Sequence, residues 1–167
     1  LRAMIVFFSK AGRTKSVADA IAAGLRENGA EVDFAQLELL EKKKTKNKNA
    51  QEKKRNDDVE LKPVQLDVSD CDAVFFGSPV FGLMPKRKIS KAMETYIRQC
   101  SGIEGKKAIV FLTCFGVPGT ALKKISGMLQ ARNASVTDSL TVAYLLGISK
   151  KQLEQAREFG KRIAAIV

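Results

Sequence analysis

A three-layer α/β sandwich, wound on both faces of a five-stranded parallel sheet of order 2-1-3-4-5, is the fold this sequence predicts. Three observations predict it. Short runs that are apolar throughout recur along the chain, as strands buried on both faces require. Amphipathic helical stretches separate most of them, which gives the βαβ rhythm of a parallel sheet. The spacing of these elements within 167 residues suits an open, doubly wound sheet with right-handed crossovers.

Residues 4–9 carry Ile5, Val6, Phe7 and Phe8 and read as a buried strand. After a glycine-containing turn, residues 14–28 read as a helix. Val17, Ala20, Ile21 and Leu25 recur at helical spacing, and Asn28-Gly29 supplies the stop. Residues 31–37 form a second strand, with Val32, Phe34 and Ala35 expected toward the core. Residues 73–77 form a third, almost wholly apolar. A helix over 89–97 places Ile89, Met93, Tyr96 and Ile97 on one side. A fourth strand, 107–113, is centred on Ala108 to Leu112. A helix over 120–132 carries Leu122, Ile125 and Leu129, and residues 135–142 complete the sheet. Ser149 reads as the N-cap of a last helix, with Leu153, Ala156, Phe159, Gly160 and Ile163 along its buried stripe.

Residues 41–58 break this rhythm. Ala50 is their one apolar residue, among Lys42, Lys43, Lys44, Lys46, Lys48, Lys53, Lys54 and Arg55. They cannot bury a helical stripe, so the expectation is one domain with a lysine-rich, mobile insertion at about 41–62. A solvated charged loop and a docking segment are both open readings of it.

Composition narrows the chemistry. At 45% apolar and 28% charged the chain is globular, and its longest apolar run is far too short to cross a membrane. The opening residues lack a long apolar stretch and a cleavage site, so no signal peptide is expected. Met4 is the expected natural start. Cys71, Cys100 and Cys114 are odd in number and lack metal-ligand spacing, which suits a reducing cytoplasm. There is no histidine, which excludes a Ser-His-Asp triad, a His-paired cysteine and a histidine metal site. Difficult chemistry would have to come from a bound cofactor. The net charge of +11 favours acidic partners.

The first strand runs directly into Ser9-Lys10-Ala11-Gly12-Arg13-Thr14 and then a helix. Such a turn gathers unpaired backbone N–H groups, the positive end of a helix dipole and two hydroxyls around one point, a ready site for phosphate. It matches neither the Walker loop nor the Gly-x-Gly-x-x-Gly dinucleotide turn. A plain strand-turn-helix without a ligand is the alternative.

This loop resembles that of the flavodoxin family, whose pattern is Ser/Thr-x-Ser/Thr-Gly-x-Thr. It agrees at Ser9, Gly12 and Thr14 and departs at Ala11, where a hydroxyl is usual, and at Arg13, where Asn is common. Arg13 or Lys10 could compensate through charge-assisted contact. Two further segments are similar to the family's flavin-contacting loops: residues 72–82, ending Ser78-Pro79-Val80-Phe81-Gly82, and residues 113–119, opening Thr113-Cys114-Phe115-Gly116. All three loops leave the carboxyl ends of strands, where an open α/β sheet binds its ligand.

The resemblance implies flavin mononucleotide (FMN) as cofactor, its phosphate held by Ser9, Lys10, Ala11, Gly12, Arg13 and Thr14. Ser78, Pro79, Val80, Phe81 and Gly82 would clasp the ring from one side. Thr113, Cys114, Phe115 and Gly116 would clasp it from the other. Phe81, then Phe115, are the stacking candidates, against the alternative of ordinary core or loop phenylalanines. Neither Tyr96 nor Tyr144 lies in a predicted loop, so the family's tyrosine or tryptophan sandwich is expected to be absent. In similar proteins the peptide before a glycine turns over on flavin reduction, and Phe81-Gly82 matches that position. Cys114 is expected to pack rather than react. Lys10, Arg13, Lys86, Arg87 and Lys88 would make reduction less unfavourable than in acidic relatives.

The function implied is a cytoplasmic FMN-dependent electron-transfer protein that shuttles electrons between redox partner proteins, acidic ones given its charge. A flavin-dependent NAD(P)H or quinone reductase of the same fold is the nearest alternative. A basic binding module without flavin is a third. Against nucleic acid as its partner, the lysine run lacks aromatic residues to stack on bases.

Overall fold

In the computed structural model, which describes residues 1–40, 59–84 and 86–167, strand β1 (Arg2–Phe8) lies at the sheet's interior. It pairs with β2 (Glu31–Leu37) on one side and β3 (Ala73–Pro79) on the other. Beyond β3 come β4 (Lys107–Phe115) and β5 (Ser135–Tyr144), all parallel, in the predicted order β2-β1-β3-β4-β5. Four helices cover it: α1 (Arg13–Glu27), α2 (Lys91–Gln99), α3 (Ala121–Ala131) and α4 (Lys150–Ile166).

The period-two alternation of the strands divides the core into two layers. Met4 and Val6 of β1 face one layer with Met93, Tyr96 and Ile97 of α2 and Ile125 and Leu129 of α3. Ala3, Ile5 and Phe7 face the other, with Val17, Ile21 and Leu25 of α1 and Ala156, Phe159 and Ile163 of α4. Ser149 caps α4 as expected, in a reciprocal pair with Gln152.

Helices α1 and α4 touch backbone to backbone. A Cβ on Gly24 would lie 1.9 Å from the Arg157 carbonyl oxygen, and one on Gly160 would lie 2.2 Å from that of Ile21. At the rim of this contact Glu27 accepts hydrogen bonds from Arg157 and Lys161, which hold its carboxyl down to about 2.

Phe34 corrects the core expectation, being 41% exposed. It sits on the edge strand, with Phe7 (edge-to-face, 6.2 Å) and the Arg26 guanidinium (5.5 Å) against its ring. Three strands also run two residues past their predicted ends, because the parallel ladder continues beyond the apolar runs. Ser78 pairs with Leu112, Pro79 with Thr113, and Phe115 with Tyr144.

Most of the predicted lysine-rich insertion, residues 41–58, lies outside the described residues. Its flanks meet: the Leu40 amide donates to the Glu60 carbonyl and the Lys62 amide to that of Glu38. Leu61, Val64 and Val68 then pack on the α2 side of the core, where no helix stands between β2 and β3 among the described residues.

Candidate functional site

The turn after β1 could hold an anion because of what it lacks. Gly12, at φ +80°, is the N-cap of α1 and offers no capping side chain, and the first turn of the helix carries no acidic residue. Its leading N–H groups have no carbonyl four residues back to satisfy them. A Cβ at Gly12 would meet nothing within 4 Å, so glycine is there for its left-handed backbone rather than for space. Ser9 turns its hydroxyl inward across the loop and accepts from the Lys15 amide at 3.3 Å.

Two buried threonines fix this turn to the sheet. The hydroxyls of Thr14 and Thr113 lie 2.7 Å apart, joining the start of α1 to the end of β4. Replacing Thr113 by valine is expected to destabilise the fold by about 1–3 kcal/mol, because the shape is kept while the Thr14 hydroxyl loses its partner. Urea denaturation measures this, and an unchanged midpoint would remove the threonine pair from the framework.

The other loops are positioned by similar ties. Ser78, fully buried, accepts from the Ser90 amide (2.9 Å) and donates to the Pro79 carbonyl (2.9 Å). Its hydroxyl therefore anchors the start of α2 instead of facing the cleft. Phe81 and Lys88 exchange backbone hydrogen bonds of 2.7 and 2.8 Å, closing a small hairpin that holds Gly82 at φ +89°. The Arg87 guanidinium then bridges to the loop after β4, donating to the carbonyls of Phe115 (2.7 Å) and Val117. Cys114 is buried, which pushes its thiol above the ordinary range, so it packs and does not present a reactive thiolate.

These ties leave an open, solvent-facing cleft between the three loops. Ser9, Lys10, Ala11, Arg13 and Thr14 form one wall; Pro79, Val80 and Phe81 face them, and Thr113 lies between. Six other expected site residues do not line it. Ser78 and Cys114 are buried behind, Gly12 shapes the turn, and Gly82, Phe115 and Gly116 stand at the rim.

The cleft has a lining residue that sequence reasoning missed. Tyr144 ends β5 with its ring in the cleft wall, 4.6 Å from the Arg13 guanidinium and edge-to-face with Phe115 at 6.3 Å. Tyr144 lies on a strand and not in a loop, as expected, yet its ring still lines the cleft. The signal available was topological, since a strand next to β4 ends at the same edge of the sheet.

The mouth is cationic and apolar. Residues 1–18, 73–93, 105–137 and 139–153 contain no Asp or Glu, although they carry Lys10, Arg13, Lys86, Arg87, Lys88, Lys150 and Lys151. Around the opening stand Leu83 (87% exposed), Met84, Phe115, Val117, Leu145 and Leu146. Among the described residues no group of His, Cys, Asp or Glu could hold a metal ion, and no helix is long and apolar enough to cross a membrane.

Comparison with known proteins shows which family this chain belongs to and which cofactor that family uses. The NADPH-dependent FMN reductase family matches residues 8–98, a span that holds the anion loop, β3 and the hairpin at Phe81. The chain belongs to that family. It is accordingly a flavin-dependent oxidoreductase, and FMN is its cofactor. The donors present fit the group: amide hydrogens, a hydroxyl and two cations for a phosphate dianion, beside apolar walls for a flat ring.

This FMN reductase family member is also 29% identical, over 99% of its length and 96% of the other protein, to an NAD(P)H dehydrogenase (quinone) of Archaeoglobus fulgidus. Among solved structures it is similar to flavodoxin 1 of Bacillus cereus, with a TM-score of 0.69, 20% identity, and 100% and 99% of the two chains covered. A flavodoxin from the domain Archaea gives a TM-score of 0.67 at 20% identity over 99% and 98%. These two likenesses bear out the flavodoxin-like fold.

Proposed function

We propose that this chain is a cytoplasmic, single-domain electron carrier that takes and gives electrons through FMN by docking with acidic redox proteins. The observation that carries this reading is the cationic, apolar-rimmed mouth of the cleft among the described residues. Such a surface attracts an acidic partner from a distance and offers it dry contact on arrival.

Bound FMN supplies the capacity to accept and release one or two electrons. The residues of the chain do the rest. The amides of the first turn of α1, with Ser9 and Lys10, hold the phosphate; Val80 and Phe81 shield the ring from one side and Tyr144 limits the cleft on another. Lys10, Arg13, Lys86 and Lys88 favour added negative charge in the cleft, so the potential is less negative than an acidic surround would give.

A second reading has a specific observation behind it: the Archaeoglobus fulgidus relative is named a dehydrogenase that uses NAD(P)H and quinone. Anaerobic stopped-flow mixing separates the two. The carrier reading expects negligible reduction by NADPH alone and rapid reduction by an acidic reduced electron-transfer protein, slowed as salt rises. Fast, saturable reduction by NADPH without any protein donor would replace it with the reductase reading.

A further inference from the structure

Arg13 breaks the rule for the place it occupies. It is the first residue of α1, at the positive end of the helix dipole, where cations are disfavoured and acids preferred. Lys10 stands in the same wall, adding repulsion. No carboxylate lies in the surrounding loops, and none pairs with Arg13 among the described residues. An exposed guanidinium so placed would be expected to swing into solvent. Instead it lies over the Tyr144 ring at 4.6 Å, within cation–π range, and lines the cleft.

The strand ladder sets where the ring stands. Tyr144 is in register with Phe115 at the end of the β4–β5 ladder, its carbonyl accepts from the Gly116 amide at 3.2 Å, and the Phe115 ring abuts it edge-on. Tyr144 therefore offers a ring face set by the strand ladder, and the Arg13 guanidinium rests on it. A locally unfavourable charge that is nonetheless held in place by a partner ring marks a position selected for its ligand.

We propose that Tyr144 is a positioning residue that keeps the Arg13 guanidinium at the phosphate end of the cleft, so that the pair selects FMN over unphosphorylated riboflavin. The inference rests on the FMN reading of the site. It assigns to the cation–π pair the contact that the missing hydroxyl at Ala11 would otherwise supply.

The test is fluorescence-quenching titration of the full chain, stripped of flavin, with FMN and separately with riboflavin. The wild-type FMN titration examines the FMN reading by itself. Arg13→Gln is expected to lower the ratio of FMN to riboflavin affinity about tenfold, the loss of one charge-assisted contact. Tyr144→Leu is expected to lower it about threefold, and Tyr144→Phe, which keeps the ring face, to leave it within about twofold. The double variant Arg13→Gln/Tyr144→Leu should match Arg13→Gln alone, because the ring acts through the cation. Equal weakening of FMN and riboflavin by Tyr144→Leu, with the ratio intact, would overturn the proposal while leaving FMN binding established. A double variant with additive losses in the ratio would do the same. A wild-type chain that quenches neither flavin would overturn both readings.

Discussion

Replacing Gly24 by alanine is expected to destabilise the protein by about 3 kcal/mol, the upper part of the range for overpacking a filled interior. The new methyl group would meet backbone, not a side chain that can turn aside: the Arg157 carbonyl oxygen at 1.9 Å, its carbon at 2.8 Å and the Lys161 nitrogen at 2.9 Å. Relief requires α1 and α4 to move apart. That would loosen the layer formed by Ile21, Leu25, Phe159 and Ile163, and would strain the hydrogen bonds from Arg157 and Lys161 to Glu27. A melting temperature lower by about 6–12 °C is the corresponding thermal readout. Gly127 in α3 provides the control. It has no neighbour within 4 Å of a Cβ and no positive φ, so alanine there should stabilise by about 0.4–1 kcal/mol through helix propensity and the unfolded chain. Equal melting temperatures for Gly24→Ala and wild type would mean that the helices are not in contact as described. Because α1 also carries the anion loop, the same variant should bind FMN more weakly, whereas Gly127→Ala should not.

The sheet was legible because its interior strands are apolar on both faces. Residues such as Phe75, Phe76, Ile109 and Val110 leave no other plausible arrangement, and all four are fully buried. The edge strand was less so. Alternation puts Val32 and Phe34 on one face, but whether a helix covers that face depends on where α1 ends, which no local pattern records. The same physics explains the strand ends. The unbroken apolar runs end before Gly77 and Thr113, whereas ladder hydrogen bonding stops only when a neighbour runs out, so Ser78, Cys114 and Phe115 belong to strands and not loops.

The turn into α1 was readable from residue types alone, since a glycine at a helix start needs no tertiary context. Tyr144 was not. Its role depends on the length of β5, on the register of Phe115 against it and on the reach of Arg13 from another element. Ser78 carries a related lesson. A hydroxyl at a family-like position was expected at the ligand, yet it accepts from Ser90 and donates to Pro79. Spacing identifies which loop a polar residue is on, and only the three-dimensional neighbours decide which way it bonds.

Glu94→Gln is the second change with a large expected effect. The Glu94 side chain is only 4% exposed, in the first turn of α2, where the helix dipole favours an acid. It accepts from Lys124 of α3 and from Lys91 (3.2 Å), with the Arg98 guanidinium 3.9 Å away, so it ties two helices on one face of the sheet. Burial pushes its carboxyl up, but the contacts with Lys124 and Lys91 outweigh burial and hold it below the usual range. The sign of the pH effect follows. With the folded value below the unfolded one, the carboxylate stabilises the fold above about pH 4.3, the unfolded reference, and this contribution is lost as pH falls through the folded value. Glutamine keeps the shape and removes the charge, which is expected to lower stability by about 2 kcal/mol at neutral pH. That is less than for a wholly buried pair, because the lysine partners remain partly solvated. Urea titrations at neutral pH and at about pH 3 should show the gap between variant and wild type closing in acid. The variant should still lose some stability in acid, since Glu27, Glu104 and Asp67 are also held below their ordinary values. Parallel curves for the two proteins at every pH would mean that the carboxylate of Glu94 contributes nothing as a charge, and that α2 and α3 are held together by their apolar faces alone.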